Sequence, residues 1–141
     1  MTLLYLDTSA LLRLYTQEPQ YQTVVSAKAQ SSGVVCHAIT YVEAVAALTG
    51  RRRRKLLTSA SYQTALAAFE ADWATFRHVA ADELLLHDAA HLTTLHSLRA
   101  YDAVHLAAAQ AIAPLGLHFM TFDLNLRVIA QQVIPGMVWQ P

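Results

Sequence analysis

Four carboxylates stand inside otherwise apolar sequence. Asp7 ends the run Leu3-Leu4-Tyr5-Leu6, and Asp123 closes Phe119-Met120-Thr121-Phe122. Glu43 lies in Thr40-Tyr41-Val42-Glu43-Ala44-Val45-Ala46-Ala47-Leu48, and Asp102 opens Asp102-Ala103-Val104-His105-Leu106-Ala107-Ala108-Ala109. An isolated carboxylate at the edge of a core is costly to desolvate. Four that converge repel one another, and some then stay protonated. Hard divalent cations resolve both problems, because Mg²⁺ and Mn²⁺ take oxygen ligands, keep several waters and bridge to phosphate. Two such ions about 4 Å apart activate a water and stabilise the leaving oxygen of a phosphodiester. Pattern alone reaches an acidic metal site. Each acid also has a plainer reading. Asp7 and Asp102 would serve as helix N-caps, Glu43 as a partner for an arginine at 51–54, and Asp123 as a turn residue.

The second feature is basic. Arg51-Arg52-Arg53-Arg54-Lys55 holds half of the ten Lys and Arg residues. Arginine forks match phosphate geometry, and basic patches bind nucleic acid by releasing counterions. These five residues are assigned to nucleic-acid backbone contact, against a solvated loop or helix end, pairing with an acidic partner, as the plain alternative. Among seven histidines, His87 and His91 have the i, i+4 spacing of a helical zinc pair, but no HExxH string accompanies them. His105 follows Asp102 by three residues and reads as a packing or hydrogen-bonding side chain.

These residues need elements to position them. Residues 3–6 predict a buried strand, and 9–15 a helix capped by Thr8 or Ser9. Pro19 opens a second helix to about residue 30. Strands are expected at 33–37, 76–80, 117–122 and 137–140. Helices are expected at 40–49 with Gly50 as C-cap, at about 61–75, behind an Asp82 cap through Leu84, Leu85, Ala89 and Leu92, at 101–112 and at 125–132. Leu66, Phe69, Trp73 and Phe76 form one helical stripe, read as core. Strands that are apolar throughout, separated by helices, predict a parallel sheet covered on both faces. Ligands then bind beyond the carboxyl ends of the strands, where Asp7 and Asp123 both open. The expected fold is α/β, a three-layer α/β/α sandwich with a mostly parallel central sheet.

The chain has 141 residues, 55 % of them hydrophobic and 14 % charged, with formal net charge zero. That composition fills a core and excludes disorder. One domain over 1–141 is expected. The single Cys36 suits a reducing cytoplasm, no leader is read at the N-terminus, and no apolar tract is uninterrupted enough for a membrane span.

With these residues in view, the chain resembles the PIN-domain family, and within it the VapC-type toxins of bacterial toxin–antitoxin pairs. The resemblance covers essentially the whole length. It rests on Leu6-Asp7-Thr8-Ser9-Ala10-Leu11-Leu12, on Glu43, on Tyr101-Asp102-Ala103-Val104-His105-Leu106-Ala107-Ala108-Ala109 and on Thr121-Phe122-Asp123. It implies a Mg²⁺- or Mn²⁺-dependent endoribonuclease whose metal-binding, catalytic acids fall on Asp7, Glu43, Asp102 and Asp123. Thr8, Ser9 and Thr121 fall where the family often has supporting hydroxyls. Some members carry a further acid where Asn125 stands here. A cognate antitoxin and a homodimer are implied as partners, and hydrolysis by water would leave a 5′-phosphate and a 3′-hydroxyl.

Two other classes compete. An aspartyl phosphatase of the haloacid-dehalogenase pattern needs a second aspartate at position 9, which is Ser9. It also needs a late lysine, and the chain has only Lys28 and Lys55. A non-catalytic module binding RNA or a protein through residues 51–55 leaves the four acids unexplained.

Overall fold

A computed structural model describes residues 2–141. The elements run β1 (Leu3–Leu6), α1 (Thr8–Leu12), α2 (Tyr21–Gln30), β2 (Gly33–His37), α3 (Thr40–Arg53), α4 (Ser59–Trp73) and β3 (Arg77–Val79). They continue with α5 (Glu83–Leu95), α6 (Ala100–Ile112), a 3-10 turn (Ala113–Leu115), β4 (Leu117–Met120) and α7 (Leu124–Val133). The four strands lie in the order β3-β2-β1-β4, and every pairing is parallel.

The sheet is buried on both faces because successive strand residues point to opposite sides. Leu3, Tyr5, Val35 and Phe119 pack against Leu85, Leu92, Leu106 and Leu126 from α5, α6 and α7. Leu4, Leu6, Val34, Cys36 and Met120 face Leu11, Val24, Leu48 and Phe69 from α1 to α4. This is the expected three-layer arrangement, with a wholly parallel sheet among the described residues. Phe69 and Phe76 of the predicted stripe are buried, and Leu66 and Trp73 pack half-buried beside them.

Four local expectations are corrected. The first helix is capped by Asp7, whose Oδ1 accepts the Ala10 N–H at 2.9 Å, and not by Thr8 or Ser9. The helix predicted from Pro19 begins at Tyr21, behind Gln20 at φ 74°. Gly50 does not end α3, which runs on through Arg53. Three arginines in its last turn complement the negative end of the helix dipole. The predicted strand at 137–140 shrinks to one bridge, Phe119 with Val138. Asp82 caps α5 as expected, accepting the Leu85 N–H at 2.9 Å. Among the described residues, no helix is long and apolar enough to cross a membrane.

Candidate active site at the carboxyl edge of the sheet

Chain direction sets the position of the site. From β1 the chain moves outward through β2 to β3, then returns to place β4 on the other side of β1. The reversal in strand order falls between β1 and β4, and their carboxyl ends form the crevice where open parallel sheets bind ligands. Asp7 follows β1, and Thr121 and Asp123 follow β4.

Asp7 is buried, and donors stitch it across this crevice. Its Oδ1 accepts from Ser9 Oγ at 2.7 Å as well as from the Ala10 amide. Its Oδ2 accepts from Thr121 Oγ1 at 2.5 Å. The same two hydroxyls accept backbone N–H groups, Phe122 into Ser9 Oγ and Asp123 into Thr121 Oγ1, both at 3.0 Å. The loops after β1 and β4 are thereby locked to one carboxylate. Burial pushes the Asp7 carboxyl above the usual aspartate range, and the His105 charge and these donors oppose that shift without cancelling it.

Glu43, in the first turn of α3, accepts from Thr8 Oγ1 and from His105 Nε2, each at 2.8 Å on Oε1. His105 is buried and its Nδ1 lies 2.8 Å from the hydroxyl of Tyr5, itself fully buried on β1. Donation to a carboxylate requires the proton on Nε2, so in the neutral ring Nδ1 accepts from Tyr5. Burial raises the Glu43 carboxyl. The hydrogen bond and charge of His105 and the hydrogen bond of Thr8 outweigh it, and the group lies below the usual glutamate range. Glu43 is therefore ionised at neutral pH. The plainer alternative for Glu43, a pair with an arginine of 51–54, is not found among the described residues, where Arg51 pairs instead with Glu18 at 2.7 Å.

Asp102 and Asp123 share a cation that the sequence reading passed over. Arg99 donates Nε–H to Asp102 Oδ2 at 3.1 Å and Nη2–H to Asp123 Oδ2 at 3.2 Å. Asp123 also caps α7 through the Leu126 N–H at 2.9 Å. Asp102 is not an N-cap but a first-turn residue of α6, three positions after Arg99. The i, i+3 spacing was the one available signal for this pair. Asn125 Nδ2 donates to Ser97 O at 2.9 Å, tying α7 to the segment that carries Arg99.

The four acids thus line one edge in three sets: Asp7 with Ser9 and Thr121, Glu43 with Thr8 and His105, and Asp102 with Asp123 about Arg99. Among the described residues, no three carboxylate, imidazole or thiol groups stand together at ligating distance, and His87 meets only Glu83, at 3.8 Å. The basic run divides. Arg51 is engaged by Glu18 and by Ala47 O, and the Arg52 guanidinium lies 4.7 Å from the centre of the Tyr62 ring. Arg53, Arg54 and Lys55 are exposed.

The PIN domain family model matches residues 4–132. The chain belongs to the PIN-domain family. Two curated relatives from Mycobacterium tuberculosis, Ribonuclease VapC45 and Ribonuclease VapC49, are each 32% identical over 126 residues, 89% of this chain and 88% of the relative. Among solved structures, FitAcB from Neisseria gonorrhoeae superposes with TM-score 0.72 at 20% identity, covering 98% of this chain and 97% of that one. A toxin–antitoxin complex from Klebsiella pneumoniae gives TM-score 0.64 at 19% identity, covering 97% and 96%. Mycobacterium tuberculosis VapC20, described as a sarcin-ricin loop cleaving toxin, gives TM-score 0.67 at 17% identity, covering 89% and 94%.

Proposed function

We propose that the chain is a metal-dependent endoribonuclease that acts as the toxin of a toxin–antitoxin pair. The observation that carries this reading is the line of four acids along the strand-order reversal, in a chain whose relatives at 32% identity are named ribonucleases. A cognate antitoxin, a second copy of the chain and a cytoplasmic setting belong to the same proposal, with residues 1–141 acting as one domain.

The donor set is one of hard oxygens, carboxylates from Asp7, Glu43, Asp102 and Asp123 with hydroxyls from Thr8, Ser9 and Thr121 nearby. That set suits Mg²⁺ or Mn²⁺ and not a thiolate-seeking metal. The pull of Asp102 and Asp123 on one guanidinium supports cation binding at this edge. Asp7, Glu43, Asp102 and Asp123 would hold a divalent ion, which would supply Lewis acidity to a water and to the phosphate. Glu43, ionised and held by His105 and Thr8, is oriented to accept a proton from the attacking water. Asp7, fixed by Ser9, Ala10 and Thr121, holds the β1 and β4 loops at a constant spacing. Water attacks the phosphate and the 3′ oxygen leaves, giving a 5′-phosphate and a 3′-hydroxyl with no 2′,3′-cyclic phosphate.

The test is cleavage of total cellular RNA by the purified chain beside Asp102→Asn, in Mg²⁺, in Mn²⁺ and in EDTA. Discrete fragments with 5′-phosphate ends, from wild type with metal alone, are expected. Equal behaviour of the two proteins overturns the nuclease and favours a binding module.

A further inference from the structure

The contact of Arg99 with Asp102 and Asp123 is not explained by the chemistry described above. Its two hydrogen bonds use separate nitrogens and reach carboxylates on different elements, the first turn of α6 and the cap of α7. The acids are the anchored partners. The Asp102 side chain is 14% exposed and that of Asp123 29%, whereas that of Arg99 is 75% exposed. Asp123 is held in place by its cap to Leu126, while among the described residues the guanidinium hydrogen-bonds to the two carboxylates alone. An exposed pair of this kind is weak, so the cation exchanges readily. A guanidinium carries five N–H donors, and two are spent here. The Asn125 bond to Ser97 O ties down the chain two residues before Arg99.

We propose that Arg99 is a phosphate-binding residue of the cleavage reaction that rests on Asp102 and Asp123 until a divalent cation takes those two carboxylates. The proposal rests on the metal-dependent reading of the site. Arg99 and the ion neutralise the same negative charge, so each weakens the hold of the other. Once released, the guanidinium stands at the rim of the acid line with its full fork free. A fork of this geometry matches phosphate oxygens bidentately. The entering metal thereby frees the group that receives the RNA backbone, and metal loading and substrate binding are coupled through one side chain.

Mn²⁺ binding, followed by the loss of the free-ion electron paramagnetic resonance signal without RNA, is compared for wild type, Arg99→Gln, Arg99→Lys and Asp102→Asn. Arg99→Gln is expected to bind Mn²⁺ several-fold more tightly than wild type, because no cation has to be displaced. With saturating Mn²⁺, the same variant is expected to lose at least about tenfold in kcat/KM on RNA, with partial rescue by Lys. Thermal melts check that each variant is folded, and Arg99→Lys preserves the charge should Gln fail that check. Then wild-type-like Mn²⁺ affinity with reduced cleavage is the expected Lys result. Mn²⁺ affinity that is unchanged or weaker in Arg99→Gln overturns the proposal, as does cleavage at the wild-type rate. Wild-type binding that Asp102→Asn abolishes, with Arg99→Gln unaltered, defeats the Arg99 proposal alone. Wild-type protein that takes up no Mn²⁺ defeats the metal reading and this proposal together.

Discussion

His105 Nε2 lies 2.8 Å from Glu43 Oε1, and through its other nitrogen the same ring reaches Tyr5 at 2.8 Å. One buried imidazole therefore connects β1, α3 and α6, and fixes the orientation of an acid at the sheet edge. Groups that orient a metal-ligating carboxylate typically contribute 10–100-fold to metal affinity or activity. His105→Ala is expected to lower metal-dependent cleavage by about 10–100-fold. Tyr5→Phe keeps the ring stacked on Phe119 and removes only the hydroxyl, so its effect is expected to be smaller. Steady-state cleavage with Mn²⁺ titrated at each substrate level separates the roles. If both variants lose only thermal stability and keep kcat, His105 is a packing residue and no more.

Asp7 gives a prediction of opposite sign for stability and activity. Folding buries its carboxyl and raises its pKa. A group of this kind contributes its stability below the unfolded pKa and loses it as pH rises through the folded value. In EDTA, folding thus disfavours the ionised form of Asp7. Asn keeps an oxygen for Ser9 and Ala10, and its amide donates to Thr121 Oγ1. Asp7→Asn is expected to melt higher than wild type at neutral pH, with the gap closing as pH falls through the raised carboxyl value. Cleavage by the same variant is expected to be lost. A melt that is lower at neutral pH, or a gap that does not depend on pH, contradicts this account of Asp7.

What the sequence disclosed follows from which interactions are local. Strands buried on both faces are mostly apolar and do not alternate, so β1, β2 and β4 were readable, and a parallel sheet with Asp7 and Asp123 after two of its strands put both acids at one edge. Asp82, followed by its helix, was readable as a cap because the capping bond spans three residues. Gly50 misled because the favourable charge–dipole contact of Arg51, Arg52 and Arg53 lies beyond it and carries α3 past a weak helix former. The bond between Arg99 and Asp123 spans 24 positions, and that between His105 and Glu43 spans 62. No periodicity encodes either, since both depend on how α6 lies against α3 and α7. The strand expected at 137–140 failed for a similar reason. Only Phe119 is paired, through Met137 O at 2.7 Å and the Trp139 N–H at 2.8 Å, so the tail touches the sheet at one point.

Cys36 offers a probe of the core under the site. It is buried on β2, and burial together with the Asp7 charge pushes its thiol well above the usual cysteine range. The thiolate is the reactive form, so the native protein is expected to resist alkylation at neutral pH. Labelling with a fluorescent maleimide should follow unfolding in urea, with its midpoint coinciding with that of far-ultraviolet circular dichroism. Rapid labelling in the absence of denaturant would mean that β2 opens locally, and with it the support for His37 and α3.

The basic run tests how far RNA extends beyond the acids. From Glu43 to Arg53 the rise along α3 is about 15 Å, roughly the reach of a few nucleotides past the cleaved bond. Arg51 pairs with Glu18 and Arg52 lies over Tyr62, so Arg53, Arg54 and Lys55 are the candidates to test for phosphate contact. Each contact to a single-stranded phosphate contributes about 0.7 to the slope of log affinity against log salt. Replacing these three residues with Glu in an Asp102→Asn background is therefore expected to flatten the slope by about 2 and to weaken binding at low salt most. Arg51→Glu is expected instead to lower the melting temperature through its lost pair with Glu18. If the triple replacement leaves the slope unchanged while Arg51→Glu alters it, RNA runs along α3 through the partly buried arginine, and the exposed end of the helix faces solvent or a protein partner.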